Sequence, residues 1–249
     1  MKKLLGRLLG KGVSAVRPTS TAILAAAGSS QRMGGENKLL LPLDGMPVLA
    51  HTLRAVDAAQ SVDEIVIAAR EEDLLTYAEL CKTYGIRKPV KVVVGGATRQ
   101  ESVLRAALEA RADAKLLAVQ DGARPLVTPE LFNAVVLRAA VCAAAAPAVP
   151  AHDTIKLARD RRVTETPDRS MLFAVQTPQV FDAGLLKAAL QSALTEHAAL
   201  TDDCSAVERL GKAVYLTDGD EENIKITTPL DLIVAEAILR RREEREAEE

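Results

Sequence analysis

ILAAAGSSQRMGGENKLLLPL, residues 23–43, begins as a short apolar run, passes through a loop of small residues carrying Arg32 and Lys38, and turns apolar again. A strand that runs into a Gly/Ser-rich loop lets the backbone approach a ligand closely, with N–H groups free to face an anion. The loop is not G-x-G-x-x-G, and it lacks the G-K-[ST] ending of a P-loop. What remains is A-A-G-S-S-x-R-M-G followed by a lysine. That pattern suits a backbone wrapped around a nucleotide, with Arg32 and Lys38 bracketing its phosphates. The alternative is a surface turn with two solvated cations.

Outward from this loop the chain alternates. TAILAAA (21–27), EIVIAA (64–69), VKVVV (90–94) and KLLAVQ (115–120) read as buried strands, with helical periodicity near 47–59, 71–84, 99–111 and 129–143. Such alternation predicts an α/β fold, a mainly parallel sheet covered by helices on both faces. Thr98 with Glu101 forms a T-x-x-E capping box, and TPE (128–130) and TPL (228–230) place Thr at N-cap and Pro at N1. The final helix is expected to bury Leu230, Ile233, Val234, Ala237 and Ile238, an i, i+3, i+4, i+7, i+8 stripe. Its charged helical tail, 241–249, carries acid where the helix dipole favours cations and is expected to fray. Residues 1–19 read as a flexible leader and 20–240 as one domain. Within that domain, about 150–178 has short alternating stretches and no clear helix, which fits an extended arm or hairpin better than a piece of the central sheet.

Composition narrows the function. The chain has 249 residues, with 32 basic against 34 acidic and a net charge of -2, so it lacks the basic excess of a nucleic-acid binder. Aromatic residues at 2% make a base-stacking platform a poor reading. Cys81, Cys142 and Cys204 are far apart and show no metal-ligand spacing, so they read as reduced thiols of a cytoplasmic protein. Glycines and an arginine interrupt the leucines of the leader, and no later stretch is long enough for a membrane span. A small-molecule ligand is the expectation.

Three further segments are candidates for chemistry. VQDGARPLV (119–127) ends the fourth strand, which puts Asp121 and Arg124 on the carboxyl edge where open α/β sheets bind ligands. A carboxylate there can hold Mg²⁺ beside a triphosphate; an Asx turn with a local Arg124 pair is the plainer alternative. VVGGATRQES (93–102) is either a capping turn or a second glycine loop that meets a base or ribose through its backbone and Ser102. In ENIKITTP (222–229), strand alternation turns Lys225 to the face opposite Ile224 and Ile226. His51, His152 and His197 form no nucleophile–base pattern, and the first and last fall in helical segments. A nucleophile that is already an ionised phosphate needs no base, and cations with a metal then act by positioning and charge stabilisation.

Together these segments resemble the 2-C-methyl-D-erythritol 4-phosphate cytidylyltransferases of non-mevalonate isoprenoid synthesis. AAAGSSQRMGGENK, VVGGATRQESV, VQDGARP, HDTIK, TPDR, QTPQVF, TDDCSAVERLG and ENIKIT occur in the family's order over roughly residues 20–240. The resemblance implies a Rossmann-like nucleotidyltransferase sheet with a projecting β-arm. It also implies transfer of CMP from the co-substrate CTP to methylerythritol phosphate, with Mg²⁺ near Asp121. By the same resemblance, Arg32 and Lys38 stabilise the α-phosphorus and Lys225 helps position the attacking phosphate. Ala26, Ala27, Gly28, Gly95, Gly96, Ser102 and Ala123 line the nucleotide site. Asp121, Arg124, Thr154, Arg169, Thr177 and Lys225 surround the sugar phosphate, with Thr154 and Arg169 on an arm that crosses to the partner of a homodimer. The first loop departs from the family pattern: it is one residue shorter, Asn37 precedes Lys38, and Leu39 stands where a glutamine is usual. That loop also resembles molybdenum cofactor cytidylyltransferases, while DGARP, TPQVF and ENIKIT point back to the isoprenoid enzyme. The alternatives are a cytidylyltransferase for another polyol phosphate, such as ribitol 5-phosphate, and a non-catalytic nucleotide-binding regulator.

Overall fold

The computed structural model describes residues 17–28 and 37–248. β1 (Ser20–Ala26) is followed by the two-residue strands β2 (Pro42–Leu43) and β3 (Met46–Pro47) and by α1 (Val48–Ala58). Then come β4 (Glu64–Ala69), a 3-10 turn (Glu71–Asp73), α2 (Leu74–Thr83) and β5 (Val90–Val94). The chain continues through α3 (Arg99–Glu109), β6 (Leu116–Asp121), α4 (Pro129–Cys142) and β7 (Ala144–Pro150). A small hairpin, β8 (Leu157–Arg159) and β9 (Arg162–Glu165), precedes a second 3-10 turn (Arg169–Met171) and β10 (Phe173–Val175). β11 (Gln179–Asp182), α5 (Ala183–Thr195), α6 (Asp203–Arg209), β12 (Tyr215–Asp218) and α7 (Pro229–Glu248) complete it.

The sheet runs β10-β7-β11-β6-β1-β4-β5, with β12 also paired to β7. β1 is parallel to both β4 and β6, and β4 to β5. The chain builds outward from β1 on one side through β4 and β5, then returns to place β6 on the other side. The carboxyl ends of β1 and β6 therefore flank the point where strand order reverses, the place where open α/β sheets leave a crevice. Period-two alternation divides β1 between two cores. Ala22, Leu24 and Ala26 pack with α1, α2, α4 and α7, while Ile23 packs with α3, α5 and α6 on the other face.

β7 resolves the far half of the sheet. Ala145 pairs with both Tyr215 and Val180, and Ala148 with both Asp218 and Val175. A residue has two ladder edges, so β12 takes one edge of β7 while β10 and β11 share the other as one interrupted strand. The interruption is Gln176, Thr177 and Pro178, with a cis peptide between the last two. Because Val119 pairs with Gln179 in antiparallel register, Thr177 is carried opposite Asp121.

The early strands and helices match the sequence reading, with the 71–84 helix entering through a 3-10 turn. The arm is shorter than expected: Pro150 and Phe173–Val175 belong to the central sheet, and the projecting hairpin is β8–β9. The reading of the last helix is corrected. Leu230, Ile233, Val234 and Ala237 are exposed; of the expected stripe Ile238 packs, and the rest of the packed face is Leu232, Ala235 and Leu239. The tail, expected to fray, stays helical through Glu248, since Arg241, Arg242 and Arg245 all reach Glu222. His197 lies just past α5 at a φ of 50° rather than within a helix. Lys225 is in an irregular segment outside the sheet rather than on a strand, tied to the loop after β6 where Ile226 N donates to Ala123 O at 2.8 Å. The leader through residue 16 lies outside the described residues.

Candidate active site

At the switch point a cavity of about 340 Å³ is bounded by several loops. The end of β1 contributes Ala25, Ala26, Ala27 and Gly28, and the turn after the first loop contributes Lys38 and Leu39. The loop entering α3 contributes Gly96, Ala97, Thr98, Arg99 and Ser102, and β6 with its neighbours contributes Asp121, Ala123 and Lys225. Small side chains along β1 leave the space open. The second loop approaches closely because Gly95 has no side chain: a Cβ there would sit 2.7 Å from Ala27 Cβ. At Gly96 a Cβ would collide with Glu101 Cβ.

Capping shapes that second loop. Thr98 Oγ1 accepts from Glu101 N at 3.1 Å, while Glu101 Oε2 reaches one residue past the N-cap to accept from Ala97 N at 2.8 Å. Ser102 Oγ accepts from Gly96 N (2.9 Å) and donates to Thr98 O (2.8 Å). Its hydroxyl thus holds the loop's form, while the residue lines the cavity.

Asp121 is the electrostatic centre. Its Oδ2 is 2.8 Å from Lys225 Nζ and 3.6 Å from Arg124 Nε, and its Oδ1 is 3.5 Å from Arg99 Nη2. Burial alone would raise its pKa, but Lys225, Arg99 and Arg124 outweigh burial and hold it at about 2. Asp121 is therefore a carboxylate at any working pH. Its backbone N–H donates to Thr177 Oγ1 at 3.1 Å. Arg124 Nη1 donates to Asn223 O (2.6 Å), and Lys38 Nζ donates to Ile226 O (2.7 Å), one residue after Lys225. Asn223 Nδ2 in turn donates to Thr177 O at 3.0 Å. Cross-bracing of this kind makes the loops bearing Lys38, Asp121, Thr177 and Lys225 one unit.

Sequence reasoning passed over Arg99. Its Nη1 lies 2.7 Å from Asp203 Oδ2 on α6, and Asp203 has no solvent exposure. Burial opposes the Arg99 charge, yet Asp203 and Asp121 raise its pKa; burial raises that of Asp203 more than Arg99 lowers it. A signal was available, because an arginine in the first turn of a helix opposes the helix dipole and needs another reason to be there. Of the anticipated residues, Ala26, Ala27, Gly28, Lys38, Gly96, Ser102, Asp121, Ala123 and Lys225 come together around the cavity. Gly95, Arg124 and Thr177 touch its walls through the contacts above. Thr154 and Arg169 are exposed on the arm and do not line it; Arg169 Nη1 donates to His152 O at 2.8 Å. Arg32 lies outside the described residues. Leu39, in the family's glutamine position, is buried and packs near Gly122.

The family model for 2-C-methyl-D-erythritol 4-phosphate cytidylyltransferase (IspD) matches residues 20–241. The chain belongs to this family. It is 44% identical over 220 residues to the Bacillus cytotoxicus member, covering 88% of this chain and 97% of that one. It is likewise 44% identical over 226 residues to the Halalkalibacterium halodurans member, covering 90% and 99%. The crystal structure of 4-diphosphocytidyl-2C-methyl-D-erythritol synthase from Anaerococcus prevotii superposes with a TM-score of 0.82 at 30% identity, over 90% of this chain and 96% of that one. The Thermus thermophilus cytidylyltransferase structure gives 0.72 at 30% identity, over 89% and 99%. This cytidylyltransferase joins CTP and 2-C-methyl-D-erythritol 4-phosphate to give 4-diphosphocytidyl-2-C-methyl-D-erythritol, a step of isoprenoid biosynthesis. Its fold is the mostly parallel Rossmann-like sheet of those structures.

Proposed function

We propose a division of labour in which CTP lies along the β1 and α3 loops, with its α-phosphorus at Arg32 and Lys38. The sugar phosphate lies over Asp121, Arg124, Thr177 and Lys225. The observation that carries this reading is the convergence of Lys225, Arg99 and Arg124 on a single ionised carboxylate at the cavity, with Lys38 lining the same cavity and bonded to Ile226 O beside Lys225. An oxygen of the methylerythritol phosphate forms the new bond to the α-phosphorus, the bond to the bridging β-phosphate oxygen breaks, and pyrophosphate leaves. The attacking phosphate is already an anion, so no side chain has to remove a proton. Lys225, braced on Asp121, orients it. Lys38 and Arg32 meet the charge that grows on the pentacoordinate phosphorus.

Mg²⁺ fits this site as a metal carried in with the triphosphate. No group of three His, Cys, Asp or Glu side chains suited to holding a metal occurs among the described residues. Asp121 supplies one ionised carboxylate, and magnesium ordinarily takes one or two together with substrate phosphates. Bound there, the ion would supply positive charge to offset that of the phosphates. The assembly we propose is a homodimer in which Thr154 and Arg169 of each arm serve the partner's site. Support comes from the exposed apolar side chains Ile155, Leu157, Val163 and Met171 on a segment with little core of its own. A cytoplasmic location fits three free cysteines, and no helix among the described residues is long and apolar enough to cross a membrane.

The test is Lys38→Ala, assayed by pyrophosphate release with CTP and methylerythritol phosphate. A contact made only in the transition state lowers kcat without a matching rise in KM. Loss of one preorganised charged donor should cost about 10²-fold in kcat, with KM for CTP changed about threefold or less. An equal loss in both would make Lys38 an ordinary phosphate clamp.

A further inference from the structure

Of the three tyrosines, Tyr77 on α2 alone is fully buried, and the transfer chemistry gives its hydroxyl no task. That hydroxyl accepts a hydrogen bond from Asn37 Nδ2 at 3.0 Å. It lies 3.5 Å from Ala26 O, at the β1 end of the cavity wall, and 3.5 Å from Asp73 Oδ2. Asp73 is itself held by Arg70 Nε at 2.7 Å. Asn37 uses its remaining groups on the chain beyond it: Oδ1 accepts from Leu39 N at 3.1 Å, and its carbonyl accepts from Leu40 N at 2.9 Å. The side chain of Asn37 therefore bridges from the core to the far side of Lys38. Burial pushes the Tyr77 pKa up to about 12, so the phenol stays protonated throughout the enzyme's range. Asn37 is also where the first loop departs from the family pattern, in a loop one residue shorter than usual.

We propose that Tyr77 is a positioning residue which, through Asn37, sets the backbone of Lys38 against the cavity so that its ammonium group meets the reacting phosphorus. This inference rests on the reading of Lys38 given above. Without the hydroxyl, the aromatic ring still fills the core, but the turn over residues 37–39 loses its link to β1 and α2. Geometry this close to the chemistry is expensive to disturb, since a shift of about 1 Å costs up to about 10²-fold in rate.

The experiment measures steady-state kinetics and thermal unfolding for Tyr77→Phe and Asn37→Ala, each alone and combined with Lys38→Ala. Asn37→Ala leaves the core ring in place, so it reads out the same link should Tyr77→Phe fold poorly. We expect each single variant to lose about tenfold in kcat, with KM for CTP held within about twofold. In the Lys38→Ala background neither should lower kcat further, because both act through the lysine. Full additivity with Lys38→Ala, or an unchanged kcat in folded Asn37→Ala, overturns this inference alone. A Lys38→Ala enzyme with undiminished kcat overturns the reading of Lys38 and this inference with it.

Discussion

Asp203 has no exposure to solvent, yet its carboxylate faces Arg99 at 2.7 Å and so sets where that cation sits in the cavity. Removing one partner of a buried pair leaves the other charge uncompensated. Asp203→Asn is therefore expected to cost about 3 kcal/mol, the low end of the usual range because Arg99 reaches the open cavity. Arg99→Gln combined with Asp203→Asn removes both charges, and stability in urea should return towards wild type while turnover stays low. Wild-type turnover in that folded double variant would mean Arg99 does no more than balance Asp203. At this scale the sequence was uneven. Asp121, Lys38 and Lys225 stood out because each is a charge in a small-residue or apolar setting near a strand end. Arg99 did not, because its partner Asp203 is far along the chain, in a motif whose sequence gives no hint of what it faces. Gln179 was hidden in the same way: its Oε1 accepts from Asp203 N at 3.0 Å and from Cys204 N at 3.1 Å, fixing the start of α6.

The end of α7 does more than carry charge. Arg242 Nε lies 2.7 Å from Glu222 Oε2, and its Nη1 donates to Leu126 O at 3.0 Å. Arg245 approaches Glu222 Oε1 at 3.2 Å, and Arg241 binds the same oxygen. One helix turn thus pins two loops, that of Arg124 and that of Lys225. Arg242→Ala should speed amide exchange in both 122–127 and 220–226 while leaving β4 protected. It should also raise KM for the sugar phosphate roughly fivefold through the loosened site. Unchanged exchange in 122–127 would rule out the clamp. Apolar residues lie on more than one side of α7, so periodicity read the stripe through Leu230, Ile233 and Val234, and of that stripe Ile238 packs. The choice fell to Leu232, Ala235, Ile238 and Leu239 because Glu222 fixes the rotation at one end. At the other end Asp231 Oδ2 accepts from Thr227 N and Thr228 N, both at 2.7 Å. The early elements were legible because each is a long periodic run between turn residues. β7, with Pro147 and Pro150, and the four-residue strands β11 and β12 were not: two prolines argue against a strand, and four residues carry too little period to count.

Across the whole molecule, the proposed homodimer gives the arm a task in the partner's site. Lys38→Ala and Arg169→Ala, each inactive alone, should complement on mixing if each site joins one subunit's core to the partner's arm. Under random exchange about half the dimers are hybrids and each has one intact site, so activity should recover to about a quarter of wild type. If mass measurements confirm exchange and activity stays at the level of the separate mutants, Arg169 does not act in the partner's site. By itself the sequence determined the α/β class, the order of the first strands and helices, and the loops that bring small residues and cations to the carboxyl edge. These are local properties, set by hydrophobic period, capping and glycine, and a chain carries them wherever it folds. The tertiary structure decided which charges meet. Asp121 gathers Lys225, Arg99 and Arg124, Arg99 answers to Asp203, and Tyr77 reaches Asn37 only because the sheet reverses at β1 and closes segments up to about a hundred residues apart. Pairing of that kind depends on distance in space, and a coulombic or hydrogen-bonded partner leaves no periodic trace along the chain.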